Sequence, residues 1–517
     1  MNDTITELRA KLEAGRTTSL ALVRAYKARI ARLDQKGPRL NAVRHFNEEA
    51  EALARASDAR KGPRRPLEGI PILLKDNVAT GDRQPTTAGS AAMEGVRAKR
   101  DATVAARLRR AVAIILGKAN LTEWANMMAV GMPTGYSSLG GQCRNPWAPE
   151  ADANGIPIVP TGGSSAGSGV AVAAGFCAGA IGTETAGSLL SPASQNGLVT
   201  VKPTVGLVSQ AGIIPISHNQ DVAGPMTRSV EDAALILDAI AAPDPRDAKT
   251  LKQKRPENYL TTLDREALRG ARIGVPSDPD NSNDPWYGPL SPSAKQVMAR
   301  AIEMLQDAGA VIVRAGIEPR AWVGGPGTEM AVLNTNPLSP KRGTPERVSS
   351  VFLHELKAGL DAYLRDWALW EKGARRMRSI DDIVAFYDED AKRCLRFGQD
   401  FLREASLTKG DLSEPAYRNA RKMDIWASKT IGIDPYLRQH KLDAILFPSR
   451  TGAGFAAKAG YPSVQVPAGL VTHWEDIETK PYPYGITFTG PAWSEARLLA
   501  LAYAFEQARG AFPKPEL

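Results

Sequence analysis

Gly69-Ile-Pro-Ile-Leu-Leu-Lys75 is a short apolar run that follows a Pro/Arg-rich loop and ends on a lysine. Its length and unbroken apolar character predict a buried strand, with Lys75 at the C-terminal end. Similar runs recur outward from it. Ala113-Ile-Ile-Leu-Gly117, Ala180-Ile-Gly-Thr183, Asp443-Ala-Ile-Leu-Phe-Pro448 and Ser463-Val-Gln-Val-Pro467 read as further strands. Helical patterns lie between them. Leu8 and Leu12, then Leu20, Val23, Tyr26, Ile30 and Leu33, predict two helices in the first forty residues, the second capped by Thr18 or Ser19. Thr103 to Arg110 is helical, and Ser168 to Ala178, rich in Ala, Val and Gly, predicts a closely packed core helix. This alternation of apolar strands and helices indicates an α/β architecture.

The texture changes between about Gly316 and Arg438. Strand-like runs vanish there and amphipathic helices take over, as in Phe352, Leu356, Leu360, Tyr363, Leu364 and Trp367. A helical stretch bracketed by the α/β pattern reads as an insertion or lid over 316–438. Pro243 to Pro256 reads as a surface linker.

Composition narrows the class. The chain has 517 residues, 43% hydrophobic and 23% charged, as expected of a soluble protein with a large core. Length alone would allow two to four domains. Lys and Arg number 65 against 56 Asp and Glu, a net charge of +9. The basic residues fall in short clusters, such as Arg97 to Arg100 and Arg375 to Arg378, with no base-stacking aromatic motif beside them. A solvated surface is expected, without nucleic-acid binding. Cys143, Cys177 and Cys394 form no C-x-x-C pair, which suits a reducing compartment. No secretory signal or membrane-spanning stretch is expected, so the protein is placed in the cytoplasm with no membrane partner.

Two glycine-rich turns carry serines: Thr161-Gly-Gly-Ser-Ser-Ala-Gly-Ser168 and Gly182-Thr-Glu-Thr-Ala-Gly-Ser188. A serine hydroxyl attacks a carbonyl only if its proton is removed and the oxyanion is stabilised. Consecutive amides in Thr185-Ala-Gly-Ser188 could converge on one oxygen. A lysine serves as base when neutral; bringing its pKa from about 10.4 to ~7–8 takes about 4 kcal/mol of differential interaction. Burial supplies such shifts, and the apolar strand would carry Lys75 into a desolvated site. On position alone, a solvated strand cap is the simpler reading of Lys75, and Ser/Gly turns are common.

Taken together, these segments resemble the amidase signature family. The resemblance runs through Gly69 to Asn77, Gly117-Lys-Ala-Asn-Leu-Thr-Glu-Trp-Ala125, Arg144-Asn-Pro-Trp147, Gly162 to Ser168, Gly182 to Ser188 and Val201-Lys-Pro-Thr204, then Ala459 to Ser463 and Pro483 to Gly490. It implies one amidase domain over 1–517, an α/β/α fold with a large mixed central sheet covered by helices. It implies a Ser–Ser–Lys triad in which Ser188 is the nucleophile, Ser164, after a cis peptide bond, the relay, and Lys75 the base. The N–H groups of Thr185, Ala186, Gly187 and Ser188 would form the oxyanion hole. The activity implied is hydrolysis of linear carboxylic amides to acid plus ammonia or amine through an acyl-enzyme, with esters as side substrates.

Gly182-Thr-Glu-Thr185, Asn120 to Asn126, Gly141-Gln-Cys-Arg-Asn-Pro146 and Phe397-Gly-Gln-Asp400 are similar to the peptide amidase branch, which hydrolyses C-terminal peptide amides. That branch has an acid where Ala186 stands. Leu189-Leu190 replace the family's frequent Ile-Arg, which removes a charge and favours an apolar substrate. Ala125, Asn126, Met127, Met128 and Tyr136 are the candidate substrate contacts, although the two methionines and the tyrosine could equally be core. The expected substrate is a small-molecule or short peptide amide, and a homodimer is left open.

Two other readings compete. Gly163-Ser-Ser-Ala-Gly167 fits G-x-S-x-G, which would make Ser165 the nucleophile of an α/β-hydrolase esterase with His440 or His473 as base. The amidase-like subunit of a tRNA-dependent amidotransferase would share the triad. The five histidines form no H-E-x-x-H site, and neither metal nor cofactor is expected.

Overall fold

The computed structural model of the chain describes residues 2–277, 286–287, 290–317, 329–475 and 477–517. Eleven strands form one mixed sheet: β1 (Val43–Phe46), β2 (Pro71–Lys75), β3 (Ile114–Ala119), β4 (Gly179–Glu184), β5 (Val199–Lys202), β6 (Val222–Thr227), β7 (Arg272–Val275), β8 (Val311–Arg314), β9 (Ala444–Pro448), β10 (Ser463–Trp474) and β11 (Ile477–Thr489). Their order across the sheet is β1-β3-β2-β4-β6-β5-β10-β11-β9-β7-β8. β2 is parallel to both its neighbours, β3 and β4, whereas β6, β5, β10 and β11 run antiparallel to one another in turn. Every residue of β2, β3 and β4 is buried, which is why their sequences read as continuous rather than alternating runs.

The helix Ala166–Ala173 is buried along its whole length. Its small residues let it approach the sheet closely: a Cβ at Gly167 would lie 2.5 Å from the Ala42 carbonyl and from both backbone polar atoms of Asn120. The two N-terminal helices are Ile5–Glu13 and Ser19–Leu33, and Thr18 is the cap of the second, its Oγ1 accepting from Ala21 N–H at 3.1 Å. Thr103–Arg110 is helical with the expected bounds.

Two expectations need correction. The region 316–438 is not free of strands: Glu329–Leu333 pairs with Pro345–Ser349, and Ala368–Leu369 pairs with Arg97–Ala98. Residues 318–328 lie outside the described residues. Helices do dominate the remainder, at Ser350–Asp366, Ile380–Glu389, Asp400–Ser406 and Pro415–Ile425. Pro243 to Pro256 runs largely along the surface, as expected, and is pinned at two buried points. Asp244 is buried there, accepting from Ser209 Oγ at 2.7 Å, and its N–H donates to the fully buried Thr250 Oγ1 at 2.7 Å. Finally, β10 continues well past Pro467 to Trp474, forming a long hairpin with β11.

Apolar packing forms a large cluster on the sheet, a second one away from it and three smaller ones. The second joins Trp124, Met127, Met128 and Tyr136 to Leu353, Leu356, Leu360 and Phe397 of the helical region. No helix among the described residues is long and apolar enough to cross a membrane.

Candidate active site

Because β2 and β4 are adjacent and parallel, their C-terminal ends emerge side by side, bringing Lys75 against Thr183. Lys75 is fully buried. Its Nζ lies 2.8 Å from Ser164 Oγ, 2.9 Å from Thr183 Oγ1 and 3.3 Å from the Thr183 carbonyl oxygen. Asn77 Nδ2 donates to the same Thr183 hydroxyl at 3.0 Å. No carboxylate makes an ion pair with Lys75 among the described residues. Burial pushes its pKa down to about 7, against the opposing pull of the Asp221 and Glu184 charges. The solvated-cap reading of Lys75 is therefore excluded by its position.

Ser164 follows a cis peptide bond from Gly163 and is fully buried, and its carbonyl accepts from Thr122 N–H at 3.0 Å. Ser165, next in sequence, is occupied otherwise. Its Oγ donates to the Thr183 carbonyl at 2.9 Å and accepts from Thr183 N–H at 3.1 Å. A Cβ at Gly182 would come within 2.8 Å of that hydroxyl, so a glycine is needed for β4 to approach the turn this closely. Both late histidines lie elsewhere: His440 packs against Tyr436, and His473 contacts Thr472 on the β10 hairpin. No histidine meets Ser165 Oγ among the described residues, and the hydroxyl is held by Thr183, which disfavours the esterase reading.

Ser188 sits beside this turn. Its carbonyl accepts from Ser165 N–H at 3.2 Å, and the residue is 8% exposed, unlike the fully enclosed Ser164. Among the described residues no hydrogen bond joins Ser164 Oγ to Ser188 Oγ. The structure thus brings Lys75 and Ser164 into contact and holds Ser188 next to them through the backbone. The loop from Thr185 to Ser188 is fixed from outside. Glu184 Oε2 accepts from Leu189 and Leu190 N–H at 2.7 and 3.0 Å, and Thr185 Oγ1 donates to Asp221 Oδ1 at 2.5 Å. Gly187 has φ +92°, a conformation that favours glycine. The N–H groups of Thr185, Ala186, Gly187 and Ser188 meet no acceptor among the described residues, and Ala186 is exposed.

Leu190 is fully buried at the start of the helix Leu190–Asn196.

The segment holding the candidate substrate contacts has an unusual backbone. Trp124, Ala125 and Asn126 have φ of +50°, +54° and +79°, left-handed values that cost of order 1 kcal/mol or more each for such residues. Buried polar contacts hold it in place. Glu123 accepts from Ser138 N–H at 2.6 Å and from the Tyr387 hydroxyl, which itself accepts from Trp124 Nε1 at 2.9 Å. Asn126 is exposed, whereas Met127 and Met128 are buried, and the Tyr136 ring stands edge-on to Phe397 at 4.7 Å.

Sequence reasoning missed Thr183, Asp221, Glu184 and Arg450. Thr183 and Glu184 lie inside the glycine-rich stretch 182–188, but nothing in that stretch reveals what they touch. Asp221 and Arg450 reach the site only through the fold.

Compared with known proteins, residues 21–322 match the family model described as Amidase. The chain belongs to the amidase family. It is 35% identical to a probable amidase of Arabidopsis thaliana over 98% of this chain and 90% of that one. It is 31% identical to a glutamyl-tRNA(Gln) amidotransferase subunit of Halorhodospira halophila, covering 98% of this chain and 96% of the relative. Among solved structures, native peptide amidase from Stenotrophomonas maltophilia is 39% identical, with a TM-score of 0.84, 99% of this chain and 98% of that chain being covered. The eleven-stranded mixed sheet with its helices is the amidase-signature α/β fold. The chain is an enzyme, a hydrolase of amide C–N bonds.

Proposed function

We propose that this amidase works through a Ser188 acyl-enzyme, with Ser164 as proton relay and Lys75 as base, on small linear amides or short peptide amides. The observation that carries the reading is a fully buried lysine 2.8 Å from Ser164, with its pKa lowered to about 7. A neutral amine has two N–H donors and one lone pair. The Thr183 carbonyl and hydroxyl take the two N–H groups, and the lone pair faces the Ser164 hydroxyl. As Ser188 Oγ bonds to the substrate carbon, its proton passes to Ser164, whose own proton passes to Lys75. The carbonyl oxygen becomes an oxyanion beside the unpaired N–H groups of residues 185–188. Collapse breaks the C–N bond, and the proton returns through Ser164 to the departing nitrogen. Water then adds to the acyl-enzyme by the same relay, releasing acid and free Ser188.

Ala125 and Asn126 border the substrate in this reading, with Met127, Met128 and Tyr136 behind them as an apolar wall. The segment 316–438 serves as an insertion over the site within one domain. Three free, buried cysteines agree with a cytoplasmic enzyme. The 31% identity to an amidotransferase subunit favours a second reading, in which turnover needs a partner chain. Purified chain alone, given a p-nitroanilide and hydroxylamine, separates the two. We expect partner-free turnover, hydroxamate formation and an acyl mass on the Ser188 peptide. An inactive isolated chain supports the subunit reading, and an acyl group on Ser165 refutes the triad.

A further inference from the structure

Arg450 occupies the turn after β9, and its backbone is tightly held. Thr451 N–H donates to the Pro448 carbonyl at 3.0 Å, Ala453 N–H to the Arg450 carbonyl at 2.9 Å, and Ser449 N–H to the Gly485 carbonyl at 2.8 Å. This turn faces the nucleophile loop. A Cβ built on Gly187 would lie 3.7 Å from Arg450 Cδ and 3.5 Å from Ala453 Cβ. The arginine side chain therefore runs alongside Gly187, the residue before Ser188.

Its surroundings are those of a binding group. The side chain is accessible to solvent, yet surrounding protein pushes its pKa below the usual guanidinium value. Arg450 makes no ion pair or side-chain hydrogen bond among the described residues; the charges it feels are Glu184 and the Tyr484 hydroxyl. An exposed, unpaired guanidinium beside the nucleophile loop is free to offer its planar N–H donors to a ligand.

We infer that Arg450 is a specificity-determining residue that binds a carboxylate on the substrate, near the scissile amide, through its planar pair of N–H donors. This rests on the amidase reading above and names its substrate class: amides that carry a carboxylate on the acyl or the amine side.

The test compares kcat/KM for matched substrates. Glutaramate against pentanamide probes the acyl side, and N-butanoylglycine against N-ethylbutanamide the amine side. Wild type should prefer the anionic partner in at least one pair by about 10–100-fold, the usual worth of a charge-assisted hydrogen bond. Arg450→Gln should bring that ratio close to one, Arg450→Lys should keep part of it, and Arg450→Glu should turn it toward 5-aminopentanamide. Melting temperature and labelling of Ser188 by an aryl phosphonate confirm that each variant is folded and assembled. A labelled, active wild type with no carboxylate preference in either pair overturns the inference, as does a preference that survives Arg450→Gln. Absence of Ser188 labelling in wild type would instead refute the catalytic reading on which it rests.

Discussion

The turns at Gly162 to Gly167 and at Thr185 to Ser188 have similar compositions, yet the fold uses them in opposite ways. In the first, Ser165 both donates to and accepts from Thr183, and Ser164 is fully enclosed against Lys75. In the second, four successive N–H groups have no acceptor among the described residues and Ser188 keeps some exposure. The first turn is built for fixed contacts between protein groups. The second leaves its hydrogen-bonding capacity for something outside the protein. Four adjacent N–H groups beside Ser188 are free to be offered to a ligand oxygen.

The sharpest way to break this contrast is Ser188→Ala. Amide turnover should fall by ~10⁴-fold or more, with acyl-enzyme no longer trapped by hydroxylamine, because a nucleophile acts as a unit with its base. Residual acylation elsewhere in the chain would show that the open turn is not the reactive one. Lys75→Ala and Ser164→Ala come next, each expected to lower kcat by ~10²–10⁴-fold, the usual worth of positioned proton transfer. Near-normal turnover in Lys75→Ala would remove the base and leave its burial unexplained.

Ser165→Ala tests the closed turn and should behave differently. It leaves the Thr183 N–H without its acceptor in a buried setting, so stability should drop by about 1–3 kcal/mol in urea titration. The folded fraction should still form acyl-enzyme on Ser188. Complete loss of acylation in a folded Ser165→Ala protein would revive the G-x-S-x-G reading.

How far these two turns could be read without coordinates depends on where their partners lie. The strand ending at Lys75 was legible because a strand buried on both faces is written as an unbroken apolar run. Helix Thr103–Arg110 was legible because its apolar residues repeat at helical spacing. The hairpin Glu329–Leu333 with Pro345–Ser349 was not, since its residues are mostly exposed and carry no alternation to detect. The continuation of β10 past Pro467 was missed for a similar reason: its last residues are half-buried on a hairpin, not in the core. At the site, local motifs held the three proposed triad positions, Lys75, Ser164 and Ser188. Asp221 and Arg450 arrive from the start of β6 and the β9 turn by long-range packing, and no local pattern announces such neighbours.

Asp221 offers the finest test. Burial raises its carboxyl pKa to about 7, close to that of Lys75, although Thr185 and the N–H groups of Ile216 and Ser217 favour its charged form. The two groups titrate in one window, so the acid limb of kcat/KM belongs to the pair. In wild type, activity should rise with pH through about 7 as Lys75 loses its proton. The Asp221 charge stabilises the ammonium form and so raises the Lys75 pKa. Replacing it by asparagine removes that stabilisation, lowers the pKa, and should move the acid limb to lower pH by roughly one unit or less. The direction decides. A limb that stays in place would mean that Asp221 only anchors Thr185 and the 216–217 turn, and a shift to higher pH would mean that it does not act on Lys75 as a charge at all.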